Sequence, residues 1–117
     1  MKLKNYKNCE GILKEMFPKM AKLAIEEGWQ ITGCRYDQEF FGNAFVDLRS
    51  KSLNIRITKD RGQIFIYVSK PGGPRWHNIV NFIGTARGDL SSENEVVRLL
   101  ERNLLVIPGR LNEIEGQ

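Results

Sequence analysis

Residues 52–69 read Ser-Leu-Asn-Ile-Arg-Ile-Thr-Lys-Asp-Arg-Gly-Gln-Ile-Phe-Ile-Tyr-Val-Ser, and no other stretch limits the fold as much. Leu53, Ile55 and Ile57 alternate with Asn54, Arg56 and Thr58. Beyond Lys59-Asp60-Arg61-Gly62 the alternation resumes, with Ile64, Ile66 and Val68 set against Phe65, Tyr67 and Ser69. A period of two on both sides of a short polar segment containing Gly predicts a β-hairpin. One face of that hairpin is aliphatic and must be buried. The other mixes Arg, Asn, Thr and two aromatic rings. Gly62 is expected to supply a positive φ at the turn, with Asp60 bonding back to it and Arg61 projecting at the tip.

The chain ahead of the hairpin predicts a helix over residues 8–27. Ile12, Met16, Met20 and Leu23 share a stripe, flanked by Leu13, Phe17, Ala21 and Ala24. Pro18 predicts a kink or two abutting helices, and Gly28 a C-terminal stop. The Met and Phe side chains read as core rather than as a binding groove. A first strand is expected over residues 29–36 and a second over 40–48. Ala44, Val46 and Leu48 face inward in that register, with Phe45, Asp47 and Arg49 outward, and Gly42-Asn43 marks a bulge or a late start. After the hairpin, Pro71-Gly72-Gly73-Pro74 reads as a surface loop. Trp76, Ile79, Val80 and Ile83 recur at helical spacing up to Gly84. Ser92 with Glu95 fits a capping box for a further helix carrying Val96, Val97, Leu99, Leu100 and Leu104. Residues 105–109 are expected to break that helix, with Leu111 and Ile114 in one last docked turn. The expected architecture is α+β: an N-terminal helix, a three- to four-stranded antiparallel meander, and two or three short C-terminal helices packed on one sheet face.

At 117 residues the chain is expected to be one domain, residues 1–117, able to bury a core without disulfide or metal. Cys9 and Cys34 form no Cys-x-x-Cys pair and are expected to be reduced thiols. With no apolar stretch behind Met1-Lys2-Leu3-Lys4 and no apolar run near roughly 18 residues, a cytoplasmic protein with no membrane contact is expected. The net charge of +4 is unevenly spread. Residues 28–75 hold eight basic and four acidic side chains, a balance of +4, whereas residues 76–117 hold four Arg and six acids, a balance of −2. No run of like charge marks a dedicated phosphate-binding stripe.

Signatures of catalysis are thin. The single histidine, His77, has no adjacent nucleophile or paired acid and reads as structural or exposed. Cys9, Cys34 and His77 lack zinc-ligand spacing. The glycines of residues 71–74 lack the Gly-Lys-Ser/Thr ending of a phosphate-binding loop. Arg87-Gly88-Asp89 reads as an ordinary loop. Asp37, Glu39, Asp47 and Asp60 lie where carboxylates are normally solvated. No enzyme, cofactor or metal is therefore expected. The outward sheet face offers more: Phe45, Arg49, Arg56, Phe65 and Tyr67 are residue types that dominate protein interfaces. They also suit a platform for single-stranded nucleic acid, although Asp47 interrupts it and no RNA-recognition motif is present. A third reading is that long Arg stems and rings merely cover the far side of the sheet.

The run Phe41-Gly42-Asn43, Val46, Leu48, Ser50, Leu53, Ile55-Arg56-Ile57, then Asp60-Arg61-Gly62-Gln63-Ile64-Phe65-Ile66, then Trp76 opening a helix, resembles small bacterial immunity-type proteins of contact-dependent and polymorphic toxin systems. The likeness covers the middle third of the chain and rests on turn and strand residues. It implies a cytosolic protein that binds one cognate toxin and occludes it, with no chemistry of its own. Inhibitors of basic nuclease toxins tend to be acidic, and only residues 76–117 are net negative here. The expected partner-binding residues, chosen for residue type and exposure, are Arg49, Arg56, Arg61, Phe65, Tyr67 and Trp76. The alternative is a small RNA- or single-stranded-DNA-binding domain using the same basic and aromatic face.

Overall fold

The computed structural model describes residues 8–37, 43–73, 75–83 and 92–115. Helices α1 (Cys9–Met16) and α2 (Pro18–Glu27) lead into strands β1 (Gln30–Asp37), β2 (Asn43–Arg49), β3 (Asn54–Asp60), β4 (Gln63–Ser69) and β5 (His77–Asn78). Helices α3 (Ile79–Phe82), α4 (Glu93–Arg102) and α5 (Ile107–Glu115) follow. The strands form one antiparallel sheet in the order β1-β2-β3-β4-β5, a meander in which every strand pairs with its sequence neighbour. The α+β architecture is the expected one, with one strand more than the alternation of residues disclosed.

Pro18 divides the N-terminal helix as its chemistry requires. With no N–H to donate, it takes the first turn of α2, where no intrahelical bond is lost. The break falls at Phe17, whose backbone leaves the helix (φ −135°, ψ 62°) while its side chain is fully buried. Asn8 caps α1 by accepting from the Gly11 amide at 2.8 Å. Gly28 ends α2 in the left-handed region, φ 73°, with its N–H turned back to the Ala24 and Ile25 carbonyls.

The hairpin pairs Ile55 with Val68, Ile57 with Ile66 and Asp60 with Gln63. This leaves a two-residue loop, Arg61-Gly62, with both residues at positive φ (54° and 85°). That is the geometry whose twist matches the flanking strands. Leu53, Ile55, Ile57, Ile64, Ile66 and Val68 are all buried. They join Phe17, Met20 and Leu23 of the N-terminal region and Val96, Leu100, Ile107 and Leu111 of the C-terminal helices in one core. The helices thus cover the aliphatic face, α1 against β1 and α4 against β4 and α2.

Three expectations are corrected. Trp76 does not open a helix: it precedes β5, whose two residues pair with Tyr67 and Val68, and α3 begins only at Ile79. Asn78 caps α3 through its side chain, so the helix waits for it. Separately, the register of the β1–β2 pair shifts between Ile31 and Gly33. The expected break after the Ser92-capped helix occurs earlier, over residues 103–106, and Pro108-Gly109 sit instead in the first turn of α5, where Pro costs nothing. Finally, Cys9 and Cys34 are not free thiols. They are joined in a disulfide with Cα atoms 5.6 Å apart, tying the start of α1 to β1. Expectations for Gly42, Gly84 and Arg87-Gly88-Asp89, and for the strand beginning at residue 40, fall outside the described residues.

Candidate functional site

The strand register assembles the outward face. Gly33, Asp47, Arg56 and Tyr67 lie across from one another on four successive strands, and the next row holds Arg35, Phe45, Thr58 and Phe65. Because side chains alternate faces, every one of these points away from the aliphatic core. Phe45, Phe65 and Tyr67 remain half-buried, with the Phe65 and Tyr67 rings 6.5 Å apart.

Arg56 is the centre of this face. Its Nε and Nη2 donate to the two carboxylate oxygens of Asp47 at 2.6 and 2.9 Å, a fork-to-fork pair. Its guanidinium carbon lies 4.1 Å from the Phe45 ring centroid and 4.7 Å from that of Trp76. The hydrogen bond that Arg56 donates to Asp47, opposed by partial burial and aided by the carboxylate charge, holds the guanidinium still more firmly protonated than usual. A cation that rests on rings and grips a carboxylate is fixed in place rather than sweeping through solvent. The side chains of Arg56 and Asp47 nonetheless keep 30% and 20% of their surface exposed. Trp76 is 38% exposed, although its ring contacts Arg56. Asp47, an obstacle in a bare list of residue types, is the group that orients the arginine.

The six expected residues do not form one cluster. Arg56 and Trp76 are in contact, and Phe65 and Tyr67 continue the same face on β4. Arg49 is at the far end of β2, its Nε donating to the Asn54 side chain at 3.3 Å. There it lines an open concavity of about 460 Å³ with Trp29, Gln30, Lys51, Leu104 and Leu105. Arg61 stands at the opposite end of its strand, exposed at the hairpin tip. Phe45 and Asp47 complete the Arg56 arrangement, and the partner list drawn from the sequence missed both. The signal was available in their alternation with Val46 and Leu48.

Other titratable groups serve the fold. His77 Nε2 lies 2.7 Å from Glu115 Oε2, joining the sheet edge to the end of α5. Asp60 accepts from the Asn43 side chain at 3.2 Å. Glu93 Oε2 accepts from the Met20 amide at 2.9 Å, and burial pushes this carboxyl above its ordinary value. Among the described residues, no three His, Cys, Asp or Glu side chains are placed to hold a metal ion, and no helix is long and apolar enough to cross a membrane. No family model matches the chain, and no match to a curated protein or to a solved structure reaches significance.

Proposed function

We propose that this chain is an immunity-type inhibitor, a protein that binds a cognate toxin through its outer sheet face and occludes it without chemistry of its own. The observation that carries this reading is the Arg56 arrangement. A guanidinium held by Asp47, Phe45 and Trp76 is already ordered, so a partner meeting it loses little conformational entropy on binding. Arg, Trp and Tyr anchors in a half-buried setting are the residues on which interface energy concentrates. The resemblance of residues 41–76 to toxin-neutralising proteins supports the same reading.

The test is co-expression with any toxin gene found beside this one, read as survival, and then the affinity of the purified pair. Tyr67→Ala is expected to weaken binding about 30-fold, the equivalent of a 2 kcal/mol anchor, while circular dichroism still reads a native fold. Arg56→Ala weakens it as well, but strands Asp47 and lowers stability. Equal affinity of the wild type and Tyr67→Ala, with protection from hydrogen exchange confined to α4 and α5, defeats the sheet-face reading. The second reading, a nucleic-acid-binding domain, is favoured by exposed Arg35 and Arg61. It requires association with RNA or single-stranded DNA that falls steeply with added salt. The cytoplasmic placement loses the support it drew from free thiols. Disulfides persist in oxidising compartments, so a count of free thiols in protein taken directly from cells decides where the inhibitor works.

A further inference from the structure

We propose that the partner is an acidic protein surface, and that one of its carboxylates binds the uncommitted edge of Arg56. This rests on the sheet-face reading and supplies the partner's chemistry. A guanidinium has five N–H donors; Asp47 engages two of those of Arg56, and the other three make no hydrogen bond among the described residues. They are rimmed by apolar rings, at Phe45 and Trp76. A donor set of this kind, planar, fixed and only partly exposed, is suited to a second carboxylate, which matches two parallel N–H groups.

The charge around Arg56 points the same way. Of the acids of this face, Asp47 pairs with Arg56, Asp37 has an interaction of its own, and Asp60 keeps its charge, since it accepts from the neutral Asn43 amide. The cations are more numerous. Arg35 lies beside Phe45 in the next row, and Arg61 at the tip; neither has a carboxylate within ion-pair distance among the described residues. Arg49 bonds only a neutral amide. Arg35, Arg49, Arg56 and Arg61 against Asp37, Asp47 and Asp60 leave the face a small positive balance, the complement of an acidic patch. A nucleic-acid strand fits less well. Asp37, Asp47 and Asp60 punctuate the face, whereas a phosphate backbone requires a continuous basic track.

The experiment is a nuclear magnetic resonance titration of the full, disulfide-bonded chain with three probes. These are a short peptide alternating Glu and Tyr, the same peptide with Lys for Glu, and an oligothymidylate of matching length. The Glu-Tyr peptide is expected to shift the Arg56 Nε–H, Trp76 indole and Tyr67 amide signals together and saturably. Arg35→Glu, which removes no internal contact, is expected to weaken it about tenfold. Arg56→Lys, keeping the charge and losing the fork, should abolish the Trp76 shift. If the Lys-Tyr peptide binds this face as well as the Glu-Tyr peptide does, the acidic-partner inference is overturned while a protein-binding sheet face survives. If the oligothymidylate binds there more tightly than either peptide, both fall. If no probe moves the sheet-face signals, the carboxylate subsite is overturned, and the sheet-face reading is left to its own exchange footprint.

Discussion

Arg61 sits at φ 54°, in a region where a side chain crowds the following carbonyl and where Asn or Gly is the ordinary choice. The tip is held despite this because Asn43, from the neighbouring strand β2, accepts from the Arg61 amide at 2.9 Å and donates to Asp60. Arg61→Asn is expected to raise stability by about 0.5 kcal/mol, since Asn tolerates the left-handed region. Asn43→Ala is expected to lower it by about 1 kcal/mol through the lost tip bonds. Urea midpoints of the two variants check both. At this scale the sequence was a partial guide. The turn and the outward direction of Arg56, Phe65 and Tyr67 follow from strict alternation, a local property. The pairing of Arg56 with Asp47 needs the register between β2 and β3, which no local pattern states. The same holds for the ring contact with Trp76, contributed from beyond the Pro71–Gly73 turn.

Among the elements, α2 is the one that depends most on a distant residue. Its N-cap residue, Phe17, offers no side-chain cap, and Glu93 of α4 provides an acceptor for the first turn instead. The carboxylate also occupies the first turn of its own helix, so it sits near the positive ends of two helix dipoles. Burial raises its pKa above the ordinary 4.5, more strongly than the amides of Met20 and Lys19 and the charges of Lys19 and Lys59 lower it. A folded state that holds a proton more tightly than the unfolded chain loses stability as pH rises. The contribution of this group is therefore greatest below 4.5 and diminishes as pH climbs through the raised value. Glu93→Gln keeps an acceptor for the Met20 amide and cannot ionise, so its denaturation midpoint is expected to lose that pH dependence. Glu93→Ala is expected to cost about 1 kcal/mol, as the loss of a cap does. The break at Pro18, the stop at Gly28 and the Ser92 cap were legible because each acts within one helical turn. The second duty of Glu93 was not, because its partner is 73 residues away.

For the molecule as a whole, the disulfide changes the account most. The two cysteines were read as free because their spacing matches no motif. They meet only because α1 packs on β1, a consequence of the folded core. Closing a separation of 25 residues stabilises the fold by about 3 kcal/mol in the chain-entropy view. The double variant Cys9→Ser, Cys34→Ser is expected to be less stable than the wild type by about that much. A thiol titration of the unfolded wild type is expected to find free thiols only after reductant. Inner and outer sheet faces were separable from sequence alone, whereas β5 was not. A two-residue strand has no periodicity to detect. The capping of α2 by Glu93 also bears on the order in which the chain assembles. Every strand of the meander pairs with its neighbour, so the sheet can grow hairpin by hairpin from contacts close in sequence. α2 gains its capping acceptor only when α4 packs against it, a contact far apart in sequence. An interaction completed after the rate-limiting step governs how slowly the protein comes apart rather than how fast it forms. The loss in Glu93→Ala should accordingly appear in the unfolding rate, with refolding left near the wild-type value.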